Sequence, residues 1–267
     1  KEFIVEGINE AGLAAGLFYF AGYGQYAKFD STLSAKTLAD LQVVPWLLTQ
    51  CSTIDEVKVA IAQMRIVSLD PKVASTVHWR ISQPDGRQVV LEILDGGVPH
   101  FYENEVGVIT NSPGFPWQVT NLNNYINLQP GSTPEHPFGP LEMKNLGHGS
   151  GLLGLPGDFT PPSRFVRAAF FQLTAAQQPT AEESAVQAFH LLNNFDIPAG
   201  TELPWGQAPA DMPSATQFTV ASDTHNRMLY YRTMYNSNIR CINLKSIDFD
   251  KVKYHAHALD NLKKQPI

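Results

Sequence analysis

Val106-Gly107-Val108-Ile109-Thr110-Asn111-Ser112-Pro113-Gly114-Phe115-Pro116-Trp117 is one of two segments that decide how this chain is read. The other, after a span rich in Gly and Pro, is Leu155-Pro156-Gly157-Asp158-Phe159-Thr160-Pro161-Pro162-Ser163-Arg164-Phe165-Val166-Arg167. Each sets one polar side chain among apolar or backbone-restricted neighbours. Residues 107–110 read as a strand that delivers Asn111. Ser163 reads as the N-cap of a helix over residues 164–173, with Phe165, Ala169 and Phe170 as its apolar stripe. An amide and a guanidinium held in this way can stabilise an oxyanion and a thiolate. Taken singly, Asn111 also fits an Asx-turn cap before Ser112-Pro113, and Arg164 a surface helix position. An Arg in a first turn opposes the helix dipole, so its surroundings must compensate. Neither segment contains an evident attacking atom.

Outward from these segments, the periodicities alternate between strand and helix. Residues 4–20 predict two short strands around the turn Gly7-Ile8-Asn9-Glu10-Ala11-Gly12, the second being the buried run from Leu13 to Phe20. Its small residues imply close approach by another backbone or a ligand. Residues 37–49 predict a helix kinked at Pro45. Thr53-Ile54-Asp55-Glu56 fits a capping box, followed by Ile54, Val57, Ile61 and Met64 at helical spacing. A hairpin follows. Val77, Trp79 and Ile81 alternate with His78, Arg80 and Ser82; Pro84-Asp85-Gly86 turns; Val89, Leu91 and Ile93 return. Residues 117–126 predict a helix. Thr180-Ala181-Glu182-Glu183 is a second capping box, with Ala185, Phe189 and Leu192 facing inward behind it. Residues 216–222, 228–234 and 240–244 predict three strands, with a turn over 223–227. The order predicts an α+β protein with antiparallel sheets, folded as one domain. Residues 127–159 show little periodicity, and a loop of that length in a compact domain needs a function.

Composition excludes several classes. The chain has 267 residues, 43% hydrophobic and 16% charged, and a net charge of −6. That is a globular composition, without the basic stripe that nucleic acid requires or a polybasic membrane anchor. No apolar run reaches the roughly 18 residues needed to span a bilayer. Two cysteines, Cys51 and Cys241, cannot build a disulfide framework, and both read as buried structural thiols. The close histidines His255 and His257 lack carboxylate or thiol partners at ligand spacing, so no metal site is expected. Gly147-His148-Gly149-Ser150-Gly151 imitates a nucleophile elbow but lacks the strand before and the helix after, and reads as a packing loop.

Taken together, four segments resemble the choloylglycine hydrolase family, which includes penicillin V acylases and conjugated bile-salt hydrolases. They are Glu6-Gly7-Ile8-Asn9-Glu10-Ala11-Gly12-Leu13, Leu17-Phe18-Tyr19-Phe20-Ala21-Gly22-Tyr23, Val108 to Pro113, and Leu155 to Arg167. The resemblance implies an αββα sandwich of two antiparallel sheets covered by helices, as in N-terminal-nucleophile (Ntn) hydrolases. It implies that an N-terminal cysteine attacks a linear amide, with its own α-amine as general base. Asn111 then matches the side-chain donor to the oxyanion, Tyr19 the backbone N–H donor, and Arg164 the guanidinium beside the sulfur. No cofactor is implied. The family's nucleophile lies upstream of Lys1, so a separate or preceding segment is expected to carry it. Tyr19, where bile-salt hydrolases usually have Asn, favours a penicillin V acylase-type activity; a conjugated bile-salt hydrolase is the alternative. A non-catalytic binding or assembly protein on the same fold is a third reading. Residues 127–157 resemble the family's protruding assembly segment, which implies a homotetramer.

Overall fold

A computed structural model describes residues 3–70, 75–207 and 215–265; Lys1 lies outside them. The chain opens with the hairpin β1 (Glu6–Ile8) and β2 (Ala14–Tyr19). Asn9 builds its turn: Oδ1 accepts from the Ala11 and Leu13 N–H groups, and Nδ2 donates to the Leu48 and Cys51 carbonyls. Gly12, at φ 85°, completes it, and a Cβ there would strike the Thr224 carbonyl. The close backbone approach thus falls at the turn and not at the small residues of the Leu13–Phe20 run, where a Cβ on Gly16 would meet only side-chain atoms, the nearest at 3.7 Å.

Next come β3 (Thr37–Ala39), α1 (Val43–Gln50), α2 (Ile54–Ala62) and β4 (Arg65–Val67). The helix expected from residue 37 begins at Val43, because Thr37–Ala39 pairs in parallel with β4. Pro45 sits in the first turn of α1, where its missing N–H has no intrahelical acceptor, so it need not kink the helix. Thr53 caps α2 as expected: its side chain accepts from Glu56 N, while Glu56 Oε2 accepts from Ser52 N.

The hairpin β5 (Val77–Ser82) and β6 (Gln88–Leu94) forms as its alternation predicts, and β7 (Val98–Glu103) extends it. The sheet order is β1-β2-β5-β6-β7, antiparallel throughout. Val77, Trp79, Ile81, Val89, Leu91 and Ile93 on one face join the side chains of α1 and α2 in the larger core. The other face meets α3 (Phe115–Asn121) and α4 (Pro161–Thr174), where Val90, Val108, Phe115, Phe165 and Ala169 form a second core.

Three further elements differ from what the sequence predicts. The helix over 117–126 begins two residues earlier, and its last turn is 3-10 from Leu122 to Tyr125. Residues 107–110 join no sheet; they turn at Gly107 and run toward α4, where side chains rather than a ladder meet their backbone. The N-cap of α4 is Thr160, not Ser163, because Pro161 and Pro162 take the first two helical positions.

Between α3 and α4, the exposed strands β8 (His136–Phe138) and β9 (Leu141–Met143) form a small hairpin. Ser150 bonds to Thr133 and Asn145, so the Gly147–Gly151 stretch is a packing loop. After α5 (Ala181–Leu192), capped by Thr180 as expected, come β10 (Phe218–Asp223), β11 (Met228–Thr233) and β12 (Asn236–Asn243) in a second antiparallel sheet. Helix α5 packs on β10. Cys241 lies in β12 as expected but is exposed, since little packs over β12, most of whose residues are exposed; Cys51 is buried. Among the described residues no helix is long and apolar enough to cross a membrane.

Candidate active site

Asn111, Tyr19 and Arg164, drawn from three distant parts of the chain, form one hydrogen-bonded row. Arg164 Nη2 donates to Asn111 Oδ1 at 2.7 Å, and Asn111 Nδ2 donates to the Tyr19 carbonyl at 2.8 Å. A guanidinium only donates and a carbonyl only accepts, so the two partners define which way the Asn111 amide faces. Nδ2 carries two hydrogens, and Tyr19 takes one.

The ladder places the Tyr19 N–H. Phe20 N donates to the Thr76 carbonyl and Leu17 N to the Val5 carbonyl. Residues alternate sides along an antiparallel strand, so Phe20 addresses the β5 side. Tyr19, like Leu17, turns its N–H and C=O away from β5, toward the edge where Asn111 sits. The Tyr19 side chain is 54% exposed.

Arg164 is held at the start of α4 by its own Nε, which donates to the Phe159 carbonyl at 2.9 Å. Burial pulls its guanidinium below the ordinary value; nearby Glu202 opposes this and Arg167 adds to it. An arginine so shifted still stays cationic at neutral pH. The turn before the helix is built by Asp158, whose carboxylate accepts from the Ser163 hydroxyl and from the Thr160 hydroxyl and N–H. These bonds hold the Asp158 pKa down to about 2. An anion at the N-terminus of α4 also offsets the adverse placement of Arg164. Arg167, buried, donates to the Pro156 and Asp158 carbonyls and lies over the Phe195 ring.

The Asn111 loop is gripped from several elements. Thr110 Oγ1 donates to the Pro161 carbonyl at 3.1 Å, tying the loop to α4. Ser112 Oγ donates to the Ala21 carbonyl at 2.8 Å, tying it to the end of β2. The Ser112–Pro113 peptide is cis. Beneath the loop lie His78 and Glu92, two buried polar residues that the hairpin reading left on an unassigned face. A signal for them was present. The turn at Pro84-Asp85-Gly86 sets Trp79 opposite Leu91, and extending that register by one residue sets His78 opposite Glu92.

Neither cysteine in this sequence suits nucleophilic work. Burial raises the thiol pKa of Cys51, with Glu56 adding to it, and partial desolvation together with Glu182 raises that of the exposed Cys241. Among the described residues no group of three or more His, Cys, Asp or Glu side chains is placed to share a metal ion.

Comparison with known proteins identifies the family. Residues 2–256 match the family of linear amide C–N hydrolases, choloylglycine hydrolase family. A bile salt hydrolase/transferase of Clostridium perfringens is 33% identical over 258 residues, 94% of this chain and 76% of that protein. The penicillin V acylase of Pectobacterium atrosepticum is 26% identical, over 91% of this chain and 62% of that protein. The crystal structure of a variant of the C. perfringens conjugated bile acid hydrolase superposes with a TM-score of 0.86 at 31% identity. That match covers 99% of this chain and 79% of the other. The two antiparallel sheets, with α1 and α2 on one and α5 on the other, are thus those of the αββα Ntn-hydrolase sandwich. The chain belongs to the choloylglycine hydrolase family and is a hydrolase of linear amides.

Proposed function

We propose that Asn111 and Tyr19 form the oxyanion hole, and Arg164 the guanidinium support, for cysteine-dependent hydrolysis of an N-acyl amide. The observation that carries this is the row of two hydrogen bonds from Arg164 through Asn111 to Tyr19. Thiolate attack on an amide carbonyl moves charge onto its oxygen. The second Nδ2 hydrogen of Asn111 and the Tyr19 N–H are the donors for that charge, each worth about 3 kcal/mol in such sites. Collapse of the oxyanion expels the amine, and water then releases the carboxylic acid. Arg164 holds the Asn111 oxygen so that the amide cannot flip, and its positive charge favours a nearby thiolate. The cysteine and the α-amine that takes its proton are those that the family resemblance implies.

For the substrate, the identities favour an amide-conjugated bile acid, since relatives at 33% identity are named for bile salts and the acylase stands at 26%. Penicillin V is the second reading, supported by the half-exposed Tyr19 ring, which suits a flat acyl group. The segment 127–157 serves assembly as a homotetramer. Phe138, Leu141 and Leu146 there are 71%, 60% and 100% exposed, more apolar surface than a solvated arm needs.

Asn111→Ala in the full-length protein should lower turnover about a hundredfold or more with the fold retained, as seen by circular dichroism. Normal turnover in that variant refutes the site. Paired assays with glycocholate and penicillin V decide the substrate: faster glycocholate hydrolysis upholds the first reading and faster penicillin V hydrolysis the second. A well-folded full-length protein that hydrolyses neither points to the binding protein instead.

A further inference from the structure

We infer that His78 and Glu92 are positioning residues for Asn111, a buried pair that grips the backbone on both sides of the asparagine and sets where its amide points. This rests on the role given to Asn111 above. Both side chains are 1% exposed. His78 Nε2 lies 3.1 Å from the Thr110 carbonyl, the oxygen of the peptide bond that leads into Asn111. His78 Nδ1 lies 3.2 Å from Glu92 Oε1, and that oxygen also accepts from the Phe115 N–H at 2.8 Å. One unit therefore clamps the loop immediately before Asn111 and four residues after it.

The proton count fits a clamp. A carbonyl only accepts, so Nε2 carries a hydrogen. Nδ1 faces the Glu92 carboxyl at 3.2 Å, so the ring is held from both edges. The ring plane is fixed by aromatic neighbours: Phe20 stacks on it at 4.3 Å between centroids, and Phe18 meets it edge-on at 6.2 Å. Space around the carboxyl is equally defined, since a Cβ on Gly114 would lie 3.2 Å from Glu92 Oε2. An apolar pair of the same volume would often serve stability as well as a buried ionisable one. What it could not do is hold two backbone groups of a loop that has no sheet partner. Misplacement of a catalytic group by about 1 Å can cost about a hundredfold in rate, which is the scale on which such a clamp acts.

The test is a double-mutant cycle in the full-length protein, with glycocholate and penicillin V as probes. Glu92→Ala should lower kcat roughly tenfold to a hundredfold while KM stays within about twofold. Glu92→Gln keeps an acceptor for Phe115 and a polar partner for His78, and should restore kcat to within about threefold of the parent. On an Asn111→Ala background, Glu92→Ala should have almost no further effect, because nothing is left to position. Unchanged kcat in Glu92→Ala overturns the inference, as does an undiminished loss on the Asn111→Ala background, which a merely structural role would give. If Glu92→Ala does not fold, the paired replacement His78→Phe with Glu92→Leu leaves no lone buried charge and is read through the same cycle. Normal turnover in Asn111→Ala alone sinks the site assignment itself, a separate outcome from failure of the clamp.

Discussion

The two faces of the β5–β6 hairpin are both buried, yet they are held by different physics. On one, Trp79, Ile81, Val89, Leu91 and Ile93 have no exposed surface and fill the space under α1 and α2. Each such side chain contributes about 1.5–3 kcal/mol through burial, with little demand on direction. On the other, His78 and Glu92 contribute through angles and distances to the Thr110 carbonyl and the Phe115 N–H. The first face decides whether the sheet folds. The second, on the clamp inference, decides where one amide points. Trp79 illustrates the first kind: its buried Nε1 has no hydrogen-bond partner among the described residues, so the indole acts there as volume.

That contrast can be broken by mutation. The largest expected effect is on the apolar face. Trp79→Ala should cost about 3–5 kcal/mol in chemical denaturation, while kcat per folded molecule stays within about threefold. A fall in kcat as deep as that of Glu92→Ala would mean that the two faces are not separable. Next in size is Gly114→Ala, which crowds the Glu92 carboxyl. It should lower kcat about tenfold for a stability loss of about 1 kcal/mol. The reverse pattern, a large stability loss with normal kcat, would place Gly114 in the fold rather than the clamp.

The smallest effect concerns the other support, the turn at the start of α4. The Asp158 carboxyl is lowered from 3.8 to about 2 in the folded chain. A depressed folded pKa contributes stability that is fully present above the unfolded value and is lost as pH falls through the folded one. Asp158→Asn should therefore be less stable than the parent at neutral pH. The gap should close between about pH 4 and pH 2 as the parent carboxyl protonates. A gap that persists unchanged to pH 2 would show that the charge of Asp158 is not what holds the turn.

How far the sequence could be read depended on how local each signal was. The Thr53 and Thr180 caps, the Pro84-Asp85-Gly86 turn and the strand alternation around it need only neighbours a few residues away, and all formed as expected. Expectations failed where a distant partner intervened. Thr37–Ala39 left the helix because β4 paired with it. Residues 107–110 look like a strand by composition, but their backbone is met by the side chains of His78 in β5 and of Asn104, and the Thr110 hydroxyl donates to the Pro161 carbonyl of α4. The Ser163 cap was a local error: Pro161 favours the first helical position, which moves the cap back to Thr160.

Composition, periodicity and four ordered segments were enough to determine the fold class, the family and the three polar residues worth watching, because these follow from local pattern and chain order. Only the tertiary structure decided that Arg164 turns the Asn111 amide toward Tyr19, and that a buried His78–Glu92 pair lies beneath their loop. Hydrogen bonds are directional and act over about 3 Å. Residues 92 and 53 positions apart along the chain satisfy them only after the sheet and α4 have brought the backbone into place.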